Sequence, residues 1–188
     1  MIELTLGQIS EAVSGQLRGD SNALITGSVE TDSRLVGAGS LFFAKPGEVT
    51  DGHLFIGAAK KLGALAAVVE RFTDDDIAQI KVDDVVVALG LLAKYVLQEI
   101  RQRSNLQVIG ITGSNGKTTT KNMLREILQQ HGSTIAPIES YNNEVGAPIS
   151  ILKTDLSTKY LVVELGAGGP GSIKYLVDIA KPNVGVIL

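Results

Sequence analysis

Continuous apolar runs alternate with stretches of helical periodicity in the second half of the chain. After Ser104-Asn105 an apolar run leads into a Gly-rich turn and a helix that continues to His131 and stops at Gly132. A second helix covers Ser172–Ala180, before Lys181-Pro182. Strands that alternate with helices predict right-handed crossovers and a parallel sheet. The predicted strands are Leu106–Thr112, Thr134–Ile138, Tyr160–Glu164 and Val184–Leu188.

Shorter elements are predicted in the first half. Thr5 is a suitable N-cap for a helix over Leu6–Ser14, with Gly15 as its stop. A second helix is predicted over His53–Leu62, ending at Gly63. These helices, together with the strands, indicate a compact α/β unit. The predicted strands are Ser28–Thr31, Ser40–Ala44 and Leu65–Glu70.

A long amphipathic helix joins the two halves. Asp83-Asp84 caps it, and Leu89, Leu92, Val96 and Ile100 recur at helical spacing, which predicts a packing stripe. We therefore expect a first domain over residues 1–82 and a second over 83–188. The chain stops on an apolar strand that would normally continue into a crossover, so we expect a part of a longer enzyme, with the second domain incomplete.

Composition narrows the class of protein. Of the 188 residues, 44% are hydrophobic and only 4% aromatic, with no Trp, so the core must consist of Val, Leu, Ile and Ala. A net charge of −3 argues against a broad nucleic-acid footprint. Zero cysteines exclude disulfides and thiolate metal sites. With no signal peptide and no apolar run long enough to span a bilayer, we expect a cytoplasmic protein without membrane insertion. A monomer is a separate expectation.

The most specific motif follows the Leu106–Thr112 strand. Glycines such as Gly113 and Gly116 allow backbone N–H groups to close around a phosphate, and the helix N-terminus adds partial positive charge. Lys117 can reach the β- and γ-phosphates of ATP, and the Thr118 hydroxyl can ligate Mg²⁺. The strict pattern has Gly where this chain has Ile111. The predicted ATP-binding residues are Gly113, Ser114, Asn115, Gly116, Lys117, Thr118 and Thr119.

Glu164 ends the apolar strand Tyr160–Glu164. The carboxyl edge of a parallel sheet faces the ligand crevice, where a carboxylate can hold Mg²⁺ directly or through water. A solvent-facing acid is the alternative. Together with the phosphate loop, the strand-end position favours a metal site that combines Thr118 and Glu164.

Several segments resemble the Mur ligases, a family that tolerates the missing first glycine of the loop. Asn142–Pro148 resembles the segment of the branch that adds D-alanyl-D-alanine, whereas the sister branch that adds the third amino acid usually has a Thr-Thr-Pro segment. The resemblance spans essentially the whole chain. The matching segments are Asp32–Arg34, Gly39–Gly47, Asp51–Ile56, Gly110–Thr119, Asn142–Pro148 and Glu164–Ala167.

The resemblance implies further site residues. Without it, Asp32-Ser33 reads as a turn, Lys45-Pro46-Gly47 as another, and Asn142-Asn143 as a turn or helix cap. The family often has Asn-His and an acid where this chain has Gly168-Gly169 and Ser172, so no role is transferred to that loop. The implied residues are Ser33, Arg34, Lys45 and Gly47 for the uridine nucleotide, Asn142 and Asn143 lining the reaction centre, and Lys117 as the catalytic cation.

The implied reaction is ATP-dependent ligation. The carboxylate of UDP-N-acetylmuramoyl-tripeptide is phosphorylated to an acyl phosphate, which the amine of D-alanyl-D-alanine then attacks. In the family a third domain carries the amino-acid substrate, and a metal-binding His and a carbamoylated Lys normally lie beyond residue 188. Three alternatives remain open: the sister ligase, an unrelated phosphate-loop kinase or NTPase, and a nucleotide-binding segment that does not turn over.

Overall fold

The computed structural model describes residues 1–47, 50–137 and 142–188. The chain forms two compact units, Met1–Leu92 and Ala93–Leu188. Their boundary falls inside helix α3 (Val85–Arg103). The functional division expected after residue 82 stays a prediction. The α/β class expected from the sequence is confirmed, since each unit contains parallel strands and helices.

The first unit contains a mixed sheet. Within its described residues the strand order is β2-β7-β6-β5-β4, in which β4 to β7 run parallel and β2 pairs antiparallel with β7. Strands β1 and β3 pair separately, antiparallel. The strands are β1 (Leu4–Thr5), β2 (Gln16–Arg18), β3 (Leu24–Ile25), β4 (Val29–Glu30), β5 (Ser40–Phe43), β6 (Ala64–Val69) and β7 (Ala78–Lys81).

Local signals set the helices of the first unit. Thr5 and Gln8 form a reciprocal capping box at the start of α1 (Leu6–Ala12), as the N-cap prediction requires, although the helix ends before Ser14. The helix predicted over His53–Leu62 begins instead as a 3₁₀ turn, and α2 covers Ile56–Leu62. In that turn the Leu54 N–H donates to the Asp51 carbonyl oxygen, which is the i→i+3 bond of a 3₁₀ helix, and the Asp51 side chain caps the turn by accepting from the His53 N–H.

The second unit is built on parallel strands. Over residues 93–137 and 142–188 the strand order is β11-β8-β10-β9, and every pair is parallel. Helix α4 packs against β8 and β10. Strand β9 ends earlier than predicted, and Ile138 lies outside the described residues. The elements are β8 (Gln107–Thr112), α4 (Lys117–Leu128), β9 (Thr134–Ile135), α5 (Gly146–Ile151), β10 (Tyr160–Glu164), α6 (Ser172–Ala180) and β11 (Val184–Ile187).

Helix α3 confirms the predicted stripe. Leu89, Leu92, Val96 and Ile100 are all at most 1% exposed. Asp84 Oδ1 accepts hydrogen bonds from the backbone N–H groups at the start of the helix, which satisfies donors that would otherwise lack partners. Across the described part of the chain, none of the helices is long and apolar enough to cross a membrane.

Gly63 provides a test of the turn between α2 and β6. Its φ is +110°, and an added Cβ would lie 2.8 Å from Ala38 Cα. We expect Gly63→Ala to lower the free energy of unfolding by about 2–4 kcal/mol, because left-handed strain adds to a backbone clash. Denaturant unfolding measures this. Gly37→Ala is the control, since a Cβ added there would meet no atom within 4 Å; equal midpoints for the two variants would contradict the explanation.

Candidate functional site

The Gly-rich loop connects the end of β8 to the start of α4. Gly113 and Gly116 have φ values of +142° and +81°, which L side chains rarely adopt. An added Cβ at Gly113 would also lie 2.5 Å from the Leu188 carbonyl oxygen. Ser114, Asn115 and Gly116 are exposed. The loop therefore presents its backbone to solvent at a helix N-terminus, as an anion site requires.

Lys117 folds back over this loop. Its Nζ donates a hydrogen bond to the Gly113 carbonyl oxygen at 2.6 Å. Thr118 points across the sheet edge, where Oγ1 donates to Glu164 Oε2 at 3.3 Å. Thr119, the last predicted residue of the loop, is exposed. The ammonium and the hydroxyl predicted from the sequence thus lie at the same loop, on neighbouring positions of α4.

Glu164 pairs with a lysine that the sequence reasoning missed. Lys121 Nζ lies 2.8 Å from Glu164 Oε1, and the two side chains are only 1% and 2% exposed. Oε1 accepts no well-formed hydrogen bond within the described residues. A signal for Lys121 was available, because it shares a helical stripe with Leu124 and Leu128, which pack on the core of the sheet. A charge on an apolar stripe indicates a buried partner.

The oxygen atoms of Thr118 and Glu164 fit Mg²⁺ as ligands. Mg²⁺ takes oxygen ligands at about 2.1 Å in octahedral geometry, which puts neighbouring ligands about 3 Å apart. Thr118 Oγ1 and Glu164 Oε2 are 3.3 Å apart. Both oxygens lie at the carboxyl edge of the sheet, because β8 and β10 are parallel and Glu164 is in register with Ile111. These two residues would hold the cation, with phosphate and water completing its ligands.

Asn142 and Asn143 make different hydrogen bonds, Asn142 through its backbone carbonyl and Asn143 through its side chain. The Gly166 N–H donates to the Asn142 carbonyl oxygen at 2.7 Å, which ties Asn142 to the segment that follows Glu164. Asn143 Oδ1 accepts from the N–H of Gly146 at 2.8 Å, as a cap at the start of α5. The helix-cap alternative therefore applies to Asn143. A role for either residue in lining the reaction centre stays a prediction.

A cavity of about 640 Å³ lies in the first unit. Ser33, Arg34 and Lys45 line it, together with the aromatic ring of Phe55. Gly47 lies next to its wall and donates its N–H to the carbonyl oxygen of Thr50, which is a lining residue, at 3.0 Å. Four residues predicted from two separate segments therefore meet at or beside one cavity of the size that small ligands occupy.

Arg34 is held at this cavity by Asp32. Its Nε donates to Asp32 Oδ1 at 2.9 Å and its Nη2 to Oδ2 at 2.5 Å. These hydrogen bonds lower the pKa of Asp32 to about 2. The Arg34 side chain is nevertheless 86% exposed, so the pair contributes little to stability. Asp32 also caps the 3₁₀ turn Ser33–Leu35, so the turn predicted from composition is present as well.

A chain of hydrogen bonds runs from the backbone of Glu70 through His53 to Asp51 and Arg71. The backbone N–H of Glu70 donates to His53 Nε2 at 3.1 Å, so the proton of the buried, neutral ring is on Nδ1, which donates to Asp51 at 2.6 Å. Asp51 also accepts from Arg71 at 2.5 Å. The hydrogen bond from Arg71, followed by those from His53, lowers the pKa of Asp51. His53 therefore has a structural role.

Comparison with known families covers most of the chain. Residues 26–98 match the family described as Mur ligase family, catalytic domain, and residues 111–188 match the Mur ligase middle domain. The two matches correspond to the segments that carry the cavity and the phosphate loop.

Individual relatives agree with these matches. The UDP-N-acetylmuramoyl-tripeptide--D-alanyl-D-alanine ligase of Mycobacterium leprae is 40% identical over 100% of this chain and 41% of its own length. A crystal structure of MurF from Acinetobacter baumannii gives a TM-score of 0.89 at 36% identity, over 100% of this chain and 41% of that one. MurF ligase from Thermotoga maritima in complex with ADP gives 0.74 at 37% identity, over 87% and 37%. The chain thus spans about two fifths of the relatives it matches.

The lowered pKa of Asp51 gives a pH-dependent prediction. A carboxylate whose pKa is depressed in the folded state stabilises the fold above its unfolded value of about 3.9 and loses that contribution as the pH falls toward the folded value. Asp51→Asn should therefore be less stable than the wild type at pH 7, and the difference should shrink below about pH 4. Urea unfolding of the wild type and the variant at pH 7 and again below about pH 4 measures the difference in their free energies of unfolding. Asp74→Asn, at an exposed carboxylate, is the control; a pH-independent difference for Asp51→Asn would contradict the ion-pair account.

Proposed function

This chain belongs to the Mur ligase family, and we propose that the protein carrying it joins D-alanyl-D-alanine to UDP-N-acetylmuramoyl-tripeptide with the hydrolysis energy of ATP. The observation that carries the proposal is the convergence of Lys117, Thr118 and Glu164 at the carboxyl edge of one parallel sheet. The names of the relatives supply the substrate class. ATP and Mg²⁺ are the proposed cofactors.

The first proposed step is phosphoryl transfer. An oxygen of the tripeptide carboxylate bonds to the γ-phosphorus of ATP, the bond to the β,γ-bridging oxygen breaks, and ADP departs. Two anions must approach each other, and that repulsion is the main physical obstacle. Lys117 lies within 2.6 Å of the loop carbonyl of Gly113, from which its ammonium can turn to the phosphates. With the N–H groups of the loop it offsets the negative charge and holds the phosphates in line.

The second proposed step forms the amide. The amine nitrogen of D-alanyl-D-alanine attacks the acyl carbon, inorganic phosphate leaves, and the nitrogen loses its proton. Mg²⁺, when bound by Thr118 and Glu164, would neutralise phosphate charge.

Because the family resemblance puts the domain for the amine substrate beyond residue 188, we propose that the 188-residue chain alone binds nucleotide without making amide. Measuring amide formation by this chain tests that statement.

The cavity of the first unit is the proposed site for the uridine nucleotide of the substrate. Arg34 has a planar donor group that suits a diphosphate, and Lys45 adds a second cation on the same cavity wall. Ser33 offers a hydroxyl, and Gly47 a backbone that a diphosphate can approach closely. The exposed Arg34 guanidinium would exchange part of its pairing with Asp32 for phosphate oxygens.

Two alternatives make different use of the same residues. The sister Mur ligase would share the phosphate loop and the cavity but not the Asn142–Pro148 segment. An unrelated phosphate-loop kinase or NTPase would share residues 106–131 and leave the cavity of the first unit without a role. The cytoplasmic location expected from the sequence fits the use of ATP and a UDP-linked precursor, which are intracellular metabolites, and it stays a prediction. The monomeric state is a prediction as well.

Replacing Lys117 tests the phosphate site. In a full-length ligase that carries this segment, Lys117→Met should lower the rate of phosphate release by about 100-fold or more, because transition-state charge loses its cation. Lys174→Met, at an 81% exposed side chain of α6, is the matched control. Near-normal phosphate release by Lys117→Met would remove Lys117 from the mechanism.

Calorimetry on the first-unit cavity separates the ligase from an unrelated NTPase. The wild-type chain should bind UDP-N-acetylmuramoyl-tripeptide and not the tripeptide without UDP. Arg34→Ala should weaken that binding by about tenfold, the usual scale of one charged contact. Arg103→Ala, at an exposed arginine, is the control. Binding of ATP without any binding of the UDP-linked ligand would favour the NTPase.

A further inference from the structure

The ion pair beneath the phosphate loop suggests a further function for a residue outside the predicted site. We propose that Lys121 is a positioning residue that suppresses the binding of a bare divalent cation at Glu164 and so makes cation binding depend on the nucleotide. The proposal rests on the proposed nucleotide site and adds a residue and a regulatory property to it.

The first step is the division of the Glu164 carboxylate between two partners. Oε1 lies 2.8 Å from Lys121 Nζ, and Oε2 accepts a hydrogen bond from Thr118 Oγ1 at 3.3 Å. Thr118 and Lys121 are three residues apart on α4, so they lie on the same face of the helix. The contact with Lys121 therefore turns the other carboxylate oxygen toward the hydroxyl that is the proposed second cation ligand.

The second step is the charge at the site. Glu164 and Lys121 are both almost completely buried, at 2% and 1% exposure, so solvent screens their interaction only weakly. The pair has no net charge. A divalent cation that entered alone would meet one carboxylate whose negative charge Lys121 already balances, and it would add two positive charges next to a buried ammonium.

The third step is the scarcity of other ligands. In the ranges that the structure describes, no three His, Asp or Glu side chains come together as a metal site. Thr118 supplies a neutral oxygen. Among the described residues, a cation held by Glu164 and Thr118 would have a single negative protein ligand, and the phosphates of a nucleotide on the adjacent loop would add the further negative oxygens that it prefers.

The fourth step explains why a lysine is present at all. A buried carboxylate without a counter-charge is strongly destabilising, and the apo protein must hold Glu164 ready without a metal. Lys121 stabilises the carboxylate before the ligand arrives. When the metal and the nucleotide bind together, their combined negative charge is compatible with the same ammonium, so the pair need not separate.

Cation binding in the absence of nucleotide tests the proposal. Mn²⁺ is titrated into the wild-type chain at pH 8, and free Mn²⁺ is measured by electron paramagnetic resonance. The wild type should bind Mn²⁺ weakly. Lys121→Met, which keeps the unbranched shape of the side chain and removes its charge, should bind Mn²⁺ at least about tenfold more tightly, because one repelling charge is gone. Its melting temperature should fall by about 10 °C without metal and recover when Mn²⁺ is added.

Three further variants complete the test. Lys121→Met combined with Glu164→Gln removes both charges, so it should regain stability and lose the Mn²⁺ site. Lys121→Gln serves the same purpose as Lys121→Met if the latter does not fold. Lys174→Met, the exposed control, should bind Mn²⁺ as the wild type does.

Two outcomes would overturn the proposal. One is tight, nucleotide-independent binding of Mn²⁺ by the wild type that Glu164→Gln abolishes. The other is equal Mn²⁺ affinity of the wild type and both Lys121 variants. The proposed function is tested separately, by calorimetry with a non-hydrolysable ATP analogue and Mg²⁺. If the wild type does not bind the analogue, the nucleotide site fails, whereas normal analogue binding with unchanged Mn²⁺ affinity sinks only the role of Lys121.

Discussion

The parallel pairing of β8 with β10 is the constraint on which the candidate site depends. Glu164 stands in register with Ile111, so both strands end at one edge of the sheet. The chain leaves β8 through Gly113 and enters α4 at Lys117, which puts the helix N-terminus beside the end of β10. An antiparallel pair would have sent the two strand ends to opposite edges. The phosphate loop and the carboxylate are neighbours for that reason.

Charge at this edge is arranged in layers. Lys117 lies at the loop surface, where a phosphate would approach, and Glu164 with Lys121 lies beneath it, out of contact with solvent. Burial makes each interaction stronger and makes an unmatched charge costly. Each ionic group in the lower layer therefore has an opposite charge beside it, and the upper layer keeps one cation available for the ligand.

The first unit uses charge differently. Arg34 is exposed and held by Asp32, and Lys45 lies on the same cavity. His53, in contrast, is a buried polar residue whose ring joins Asp51 to the backbone of Glu70. The planar, weakly hydrated Arg34 guanidinium and the partly exposed Lys45 ammonium at the cavity wall are groups that suit a diphosphate.

The sequence alone determined the α/β class, the α3 stripe, the Thr5 cap and the Gly-rich turn between β8 and α4, because each is a local pattern of spacing, capping or glycine placement. It did not predict the strands β1, β2, β3 and β7, which exist through pairing with residues outside their own segments. Only the tertiary structure decided that Ser33, Arg34 and Lys45 share a cavity and that Lys121 meets Glu164. Lys121 and Glu164 are far apart in the chain, and no local pattern encodes which buried charge will face which.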